Sequence, residues 1–423
     1  MPDHALPAPA AADLIQFHVL TAFPPHNVNR DEDGRPKTCL LGGTLRGRIS
    51  SQAKKRALRF APHFPAQRRA MRTREAGIKC FRDLVAAGID PVSAAWAALA
   101  VNFATGGGGS APKIEDAQKI AAPDAKPGKK SKAGGGVPDD ASAIPAGLEE
   151  ALRTGQGLVI STREFARLDA ATQRLAAAWK TDAAGFGAVL EDWVRDICRN
   201  GLLGKDEHDL DTALFGRMVA ADADHNVEAA CAVGHAFTTH EFVPEGDYFS
   251  AGEELNVVGG TGAALTSYGF FGGGVYYQHA VLDRRQLRET LAAGRSADEA
   301  AKLEEEAVAA FLEGLLFAQP RGKRNSHASD VGASYVLVSR GGDPALNLGL
   351  AFLQPVGPKE GSDPLDASIK RLRQFHDTFR SAYGLGNRLC AFNAHPPARG
   401  NAPAADEVWE VGALRRFVLE PAA

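Results

Sequence analysis

Residues Arg46–Phe60 read RGRISSQAKKRALRF and hold the densest set of reactive and charged groups in the chain. Hydroxyls (Ser50, Ser51), an amide (Gln52) and cations (Arg46, Arg48, Lys55, Arg56, Arg59) are the groups that hold a phosphodiester backbone. Ser50 or Ser51 can cap a helix there by accepting a backbone N–H. Projected at about 100° per residue, Gln52, Lys55, Arg56 and Arg59 share one stripe roughly 100° wide. Ala53, Ala57 and Phe60 then face the opposite way, toward a core, and Lys54 falls off the stripe. A phosphate at the start of this helix would meet free N–H donors, two hydroxyls and the basic stripe together. The competing reading is a solvated amphipathic helix with no ligand.

The surrounding charge suits an anionic partner or, equally, a solvated basic helix with no ligand. Twelve of the chain's 48 Lys and Arg lie between Arg35 and Arg74, and none of its 51 Asp and Glu do. The rest of the chain is therefore acidic, and a short basic block on an acidic chain is a nucleic-acid footprint. Just upstream, Asp31, Glu32 and Asp33 form an acidic cluster of the kind that can hold Mg²⁺ for phosphodiester hydrolysis. No second carboxylate motif or His at ligand spacing accompanies it, so no metal site is expected. His235 and His240 are five apart on a probable strand, hence on opposite faces, and both read as structural. Lys205–Asp211 (KDEHDLD) lacks the length and glycine of an EF-hand. The run Gly106–Gly109 lacks the GK[ST] ending of a phosphate loop, and neither GxSxG nor HExxH occurs. No catalytic centre, cofactor or metal is expected.

The elements that would position these groups can be read from patterning. Leu14–Ala22 (LIQFHVLTA) alternates as a half-buried strand, with Gln16 and His18 on the outer face. Helical patterns follow at Pro91–Ala104 and over much of Thr162–Asn200. Between them Thr105–Pro145 is Gly-, Lys- and Pro-rich and reads as a flexible loop. Strands are expected at Ala236–Val243, Gly274–Leu282, Tyr335–Ser339 and Leu348–Leu353, and helices at about Ala297–Phe317 and Pro364–Tyr383. Strand, helix, strand, strand, helix, strand is the order of a ferredoxin-like sheet. Thr238–Gly274 reads as a long irregular excursion carrying Tyr248, Phe249, Phe270 and Phe271, aromatics able to wedge between bases.

With 423 residues, 44% hydrophobic and 23% charged, the chain has globular composition and length for two or three cores. No apolar run approaches the roughly 20 residues of a membrane span, and the N-terminus lacks the pattern of a secretion signal. Five scattered cysteines, never spaced as CxxC, argue for a reducing compartment. A cytoplasmic protein is expected.

Three motifs carry a family resemblance: HVL followed by an NRD loop, then GG-x-x-R-x-RISSQ-x-x-KRA-x-R, and later ALFGRM. Together with GHAFTTHEF and GVYYQHA, in that order, they resemble the CasC family, the repeated backbone subunit of type I-E CRISPR Cascade. The resemblance implies an α+β chain with an RRM-like (ferredoxin-like) palm, a large helical fingers insertion and a protruding thumb. It places the palm's first part at 13–74, the fingers at 75–204 with a flexible loop at about 105–145, and the rest of the palm at 205–423. The thumb would lie at about 238–274. By position, Arg30, Lys37, Ser50, Gln52, Lys55, Arg56 and Arg59 match contacts to the guide backbone. Arg217 and Met218 match a second contact near a kinked base, and Phe249 a thumb residue.

Family and residues together imply a non-catalytic crRNA-binding subunit. Its partners would be crRNA, target DNA, further copies in a filament, and the large, small and pre-crRNA-processing endonuclease subunits, with no membrane. Two other readings stand beside it. One is a metal-dependent endoribonuclease of the type III kind using Asp31. The other is a free-standing RRM-like RNA-binding protein.

Overall fold

The structure, a computed structural model, describes residues 13–121, 144, 146–206, 208–252, 263–357, 363–396 and 403–420. Among them the chain is mixed α+β and divides into two units. One takes the described residues up to Ala66, with Ala230–Glu289 and those from Ala297 onward; the other takes Gln67–Ala229 and Thr290–Ser296. The expected boundaries at 74 and 204 fall inside the second unit's range.

In chain order the elements begin with β1 (Leu14–His26), β2 (Thr38–Leu41), β3 (Thr44–Ile49) and α1 (Ser51–Arg59). There follow β4 (Met71–Thr73), α2 (Ala76–Ala86), α3 (Pro91–Ala104), α4 (Ile114–Ala121), α5 (Ala146–Ala151) and β5 (Leu158–Ile160). Next come α6 (Thr162–Thr181), α7 (Phe186–Asn200), α8 (Leu210–Phe215), β6 (Cys231–Val233), β7 (Ala236–Thr238), β8 (Glu245–Gly252) and β9 (Ala263–Asp283). The chain continues with α9 (Arg284–Ala292), α10 (Ala297–Phe317), α11 (Arg324–His327), β10 (Tyr335–Gly341), α12 (Pro364–Tyr383), β11 (Arg388–Asn393), β12 (Glu407–Val408) and α13 (Val411–Leu419).

The first unit is built on one sheet in the order β12-β11-β10-β1-β9-β7-β3-β2, with β6 and β8 also paired to β9. β1 lies at its centre, antiparallel to both neighbours, so that His18 faces Leu337 on one side and His279 on the other. It is not the half-buried strand its alternation suggests: Gln16 and His18 are buried, as are Ile15, Phe17 and Val19. The cause is a second covering layer. Phe17 meets Phe311 of α10 edge-on, while Leu20, Tyr277 and Leu337 pack with Phe352, Ile369 and Leu372 beneath α12. The polar residues survive burial because they are bonded. Gln16 accepts from Leu346 N at 2.8 Å, and His18 Nδ1 lies 3.0 Å from the Tyr277 hydroxyl.

α10 and α12 occupy the expected spans, α12 capped by Asp363 with Pro364 in its first turn and Gly384 in the left-handed conformation after its end. Three expectations in this unit are corrected. Leu348–Phe352 is a 3-10 helix whose Gly349 N is capped by the Asn347 side chain, not a strand. The strand expected over Ala236–Val243 ends at Thr238. Within the excursion at 238–274, expected to be irregular, β8 pairs antiparallel with the first half of β9, from Glu245 opposite Phe271 to Ala251 opposite Leu265; residues 253–262 lie outside the described residues.

The second unit is a helical assembly with one small ladder, β4–β5. α3 is apolar on almost every side and sits buried among its neighbours; Asp90 caps it, accepting from Val92 N and Ser93 N, and Pro91 opens it. α6 begins with a capping box, Ser161 and Glu164 each bonding the other's backbone N–H. The stretch expected as a loop at 105–145 holds a helix, α4, anchored by buried Ala117; residues 122–143 and 145 lie outside the described residues.

Candidate nucleic-acid interface

The start of α1 lies in the basic block of the sequence. Ser50 is the cap, with extended backbone (φ −68°, ψ 148°) and its Oγ accepting from Ala53 N at 3.3 Å. Its own N–H donates to Asn29 Oδ1 at 2.9 Å. The next N–H, of Ser51, donates to His235 Nδ1 at 3.1 Å, and Arg48 Nη1 stands 3.4 Å from the same nitrogen. The backbone then ties Lys37 in: its N–H donates to Asn29 O and its carbonyl accepts from Arg48 N at 2.7 Å. Lys37, Arg48 and Ser51 are therefore held around the N-terminal end of α1, beside Gln52, while Lys55 lies farther along the helix and Arg56 in its last turn. Exposed Arg30 lies in the adjoining loop, where its backbone is bridged to Pro36.

Free N–H groups are expected at this terminus from the sequence; in the structure two of the first-turn donors, Ser51 N and Ala53 N, are used within the chain. An anion at the positive end of the helix would meet the side chains of Lys37 and Arg48, and Lys55 and Arg56 extend the cationic surface along α1. Patterning does not mark His235 as part of this cluster. Burial pushes its pKa down, as do Arg48 and Lys37, and its Nδ1 accepts from Ser51 N.

Tertiary packing sets the phase of α1. Its buried residues are Lys54, Leu58 and Arg59, because Leu58 seats against Gly314 of α10, where a Cβ would collide with it. Phe60, expected in the core, is 48% exposed. Arg59, expected on the stripe, is buried, its guanidinium 5.6 Å from the Phe60 ring centre. Lys54 Nζ donates to Gln319 Oε1 at 2.8 Å, and burial lowers its pKa to about 7.

Two further residues expected as contacts are buried. Arg46 is 0% exposed; its Nη1 donates to Thr238 O and its Nη2 to Phe352 O, each at 2.9 Å. Arg217, in the second unit, is 3% exposed and paired with Glu164 at 2.7 Å, donating also to His225 O and Gly204 O. Both guanidinium groups hold backbone together and are not offered to solvent. Ser50 is likewise buried as a cap. Met218 is 70% exposed in the second unit, and Phe249 is 43% exposed on β8.

The acidic loop has a structural role. Asp31 Oδ1 accepts from Asp33 N at 3.1 Å and Arg35 N at 2.8 Å, which folds the loop back on itself. Asn27 Nδ2 donates to Gly34 O and Phe270 O, and the Arg35 guanidinium lies 4.8 Å over the Phe270 ring. The loop is thereby fastened to the β8–β9 ribbon. Among the described residues no three His, Cys, Asp or Glu are grouped to hold a metal, and no helix is long and apolar enough to cross a membrane.

A mixed α+β chain with a basic helix terminus on a large sheet defines a class broader than one family, and comparison narrows it. The family model for CT1975-like proteins, Cas_CT1975, matches residues 15–411. The chain belongs to that family. A solved structure described as a CRISPR RNA-guided surveillance complex, pre-nicking, is similar with TM-score 0.67 at 22% identity, covering 96% of this chain and 99% of its own. Another, described as a CRISPR RNA-guided surveillance complex, has TM-score 0.53 at 17% identity, covering 96% and 98%. At these identities the likeness is one of fold. No curated protein matches the chain.

Proposed function

We propose that this chain is the crRNA-binding backbone subunit of a type I-E CRISPR surveillance complex, a CasC-type protein without a catalytic centre. Copies would line up along the guide, hold its backbone and present its bases to target DNA. The observation that carries this reading is the cationic surface that Lys37 and Arg48 form at the start of α1 and that Lys55 and Arg56 continue along it, with no acidic residue in the helix's first turn. Such a surface suits a phosphodiester backbone and reads no sequence.

The sheet supports an RRM-like palm: β10-β1-β9-β6 are neighbours, with α1 between β1 and β6 in the chain and α10 between β9 and β10. The second unit would be the fingers and the β8–β9 ribbon the thumb. The similar solved complexes are RNA-guided, which agrees with a guide as ligand. A metal-dependent nuclease using Asp31 is less well supported, because that carboxylate is bonded to Asp33 N and Arg35 N.

Replacing Lys55 or Arg56 by Ala should weaken binding of all single-stranded RNA sequences alike. It should also lower the slope of log K against log salt by about 0.7 for each phosphate contact removed. Fluorescence anisotropy across a salt series checks this. A loss confined to certain sequences, or an unchanged slope, would contradict it.

A further inference from the structure

Beyond the C-terminal end of α1 lies a cleft of about 480 Å³, lined among others by Arg56, Phe60, His63, Phe317, Gln319 and Arg321. Two aromatic rings stand half in solvent at its walls: Phe60 is 48% and Phe317 49% exposed. Single exposed aromatics are ordinary, but two lining one cleft are not. Each has a polar or cationic companion. The Arg56 guanidinium lies 4.7 Å over the Phe60 ring, and the His63 ring centre lies 5.9 Å from that of Phe317.

The cleft also holds an unused donor. Gln319 Oε1 accepts from Lys54, which fixes the amide so that its buried Nε2 has no hydrogen-bond partner. A buried donor without an acceptor is unfavourable until something supplies one. The cleft's acidic residue, Asp330, is paired with Arg324 at 2.8 Å, leaving Arg56 and Arg321 to set the sign of the charge. Arg56 belongs both to this cleft and to the basic stripe.

We propose that this cleft receives an unpaired nucleobase of the strand whose backbone lies on α1. The base stacks on the aromatic walls, Arg56 meets the adjoining phosphate, and the Gln319 amide donates to an acceptor on the base edge. The inference rests on the RNA-binding reading above and adds a base site to it.

The test uses the full chain with two labelled single-stranded RNAs of equal length, one base-bearing and one abasic. The wild type should bind the base-bearing strand about tenfold tighter, and Phe60→Ala and Phe317→Ala should each lose most of that difference while keeping the salt slope. Phe60→Trp should retain it. If both Ala variants discriminate as the wild type does, the cleft takes no base and the inference is overturned, while the backbone reading stands. If the wild type binds neither strand, the RNA-binding reading itself fails and the inference with it.

Discussion

Lys54 and Lys55 are neighbours on α1 with opposite environments, one buried against Gln319 and the other on the basic side. Because burial lowers the folded pKa of Lys54 to about 7 while the unfolded side chain stays near its ordinary value, the unfolded state binds more protons between these limits. Stability attributable to this group should therefore rise as pH increases from about 7 toward about 10, and be at its lowest below about 7. Denaturant melts of wild type and Lys54→Met across that range check the sign; the variant should lack the rise. Arg46 is a separate case. Arg46→Ala strips the donors from Thr238 O and Phe352 O, and should destabilise the fold by about 3 kcal/mol. Thermal melts read that loss, and the protein that remains folded should bind RNA as before. The sequence marks both residues only as basic. Which cations are buried depends on Thr238, Gln319 and Phe352, far away in the chain, and local periodicity does not carry that information.

At the scale of elements, β1 and β9 place His18 and His279 face to face, their ring centres 4.8 Å apart. Burial lowers the pKa of both, that of His279 to about 4, and burial does the same to His26, also to about 4. The folded state thus resists protons that the unfolded state takes up below about 6.5, so stability should fall as pH drops from about 6.5 toward about 4. Urea midpoints at about pH 7, 5.5 and 4.5 check this; a flat profile would contradict it. Elements with strong local signals are legible in the sequence: α10 and α12 by length and periodicity, α3 by Pro91. Short apolar segments are not. Leu348–Phe352 is apolar enough for a strand, but Asn347 caps it as a helical turn, and β11 at Arg388–Asn393 is recognisable chiefly by its pairing with β10. The phase of α1 is hidden from its own sequence because Gly314 of α10 decides it.

At the scale of the whole molecule, the role proposed above has the chain work as one of several copies on a guide RNA. Motif order makes a CRISPR-associated protein legible, since RISSQ with its basic helix precedes ALFGRM within the span that the CT1975-like family model matches. The sites are less so: of the cations expected to touch RNA, Arg46, Arg59 and Arg217 are buried in the fold. The most direct test is to isolate the protein from the cells that make it and sequence the RNA that accompanies it. Discrete CRISPR-derived guides, together with other subunits of an effector complex, are the expected result. Heterogeneous cellular RNA, or none, would contradict the proposed role.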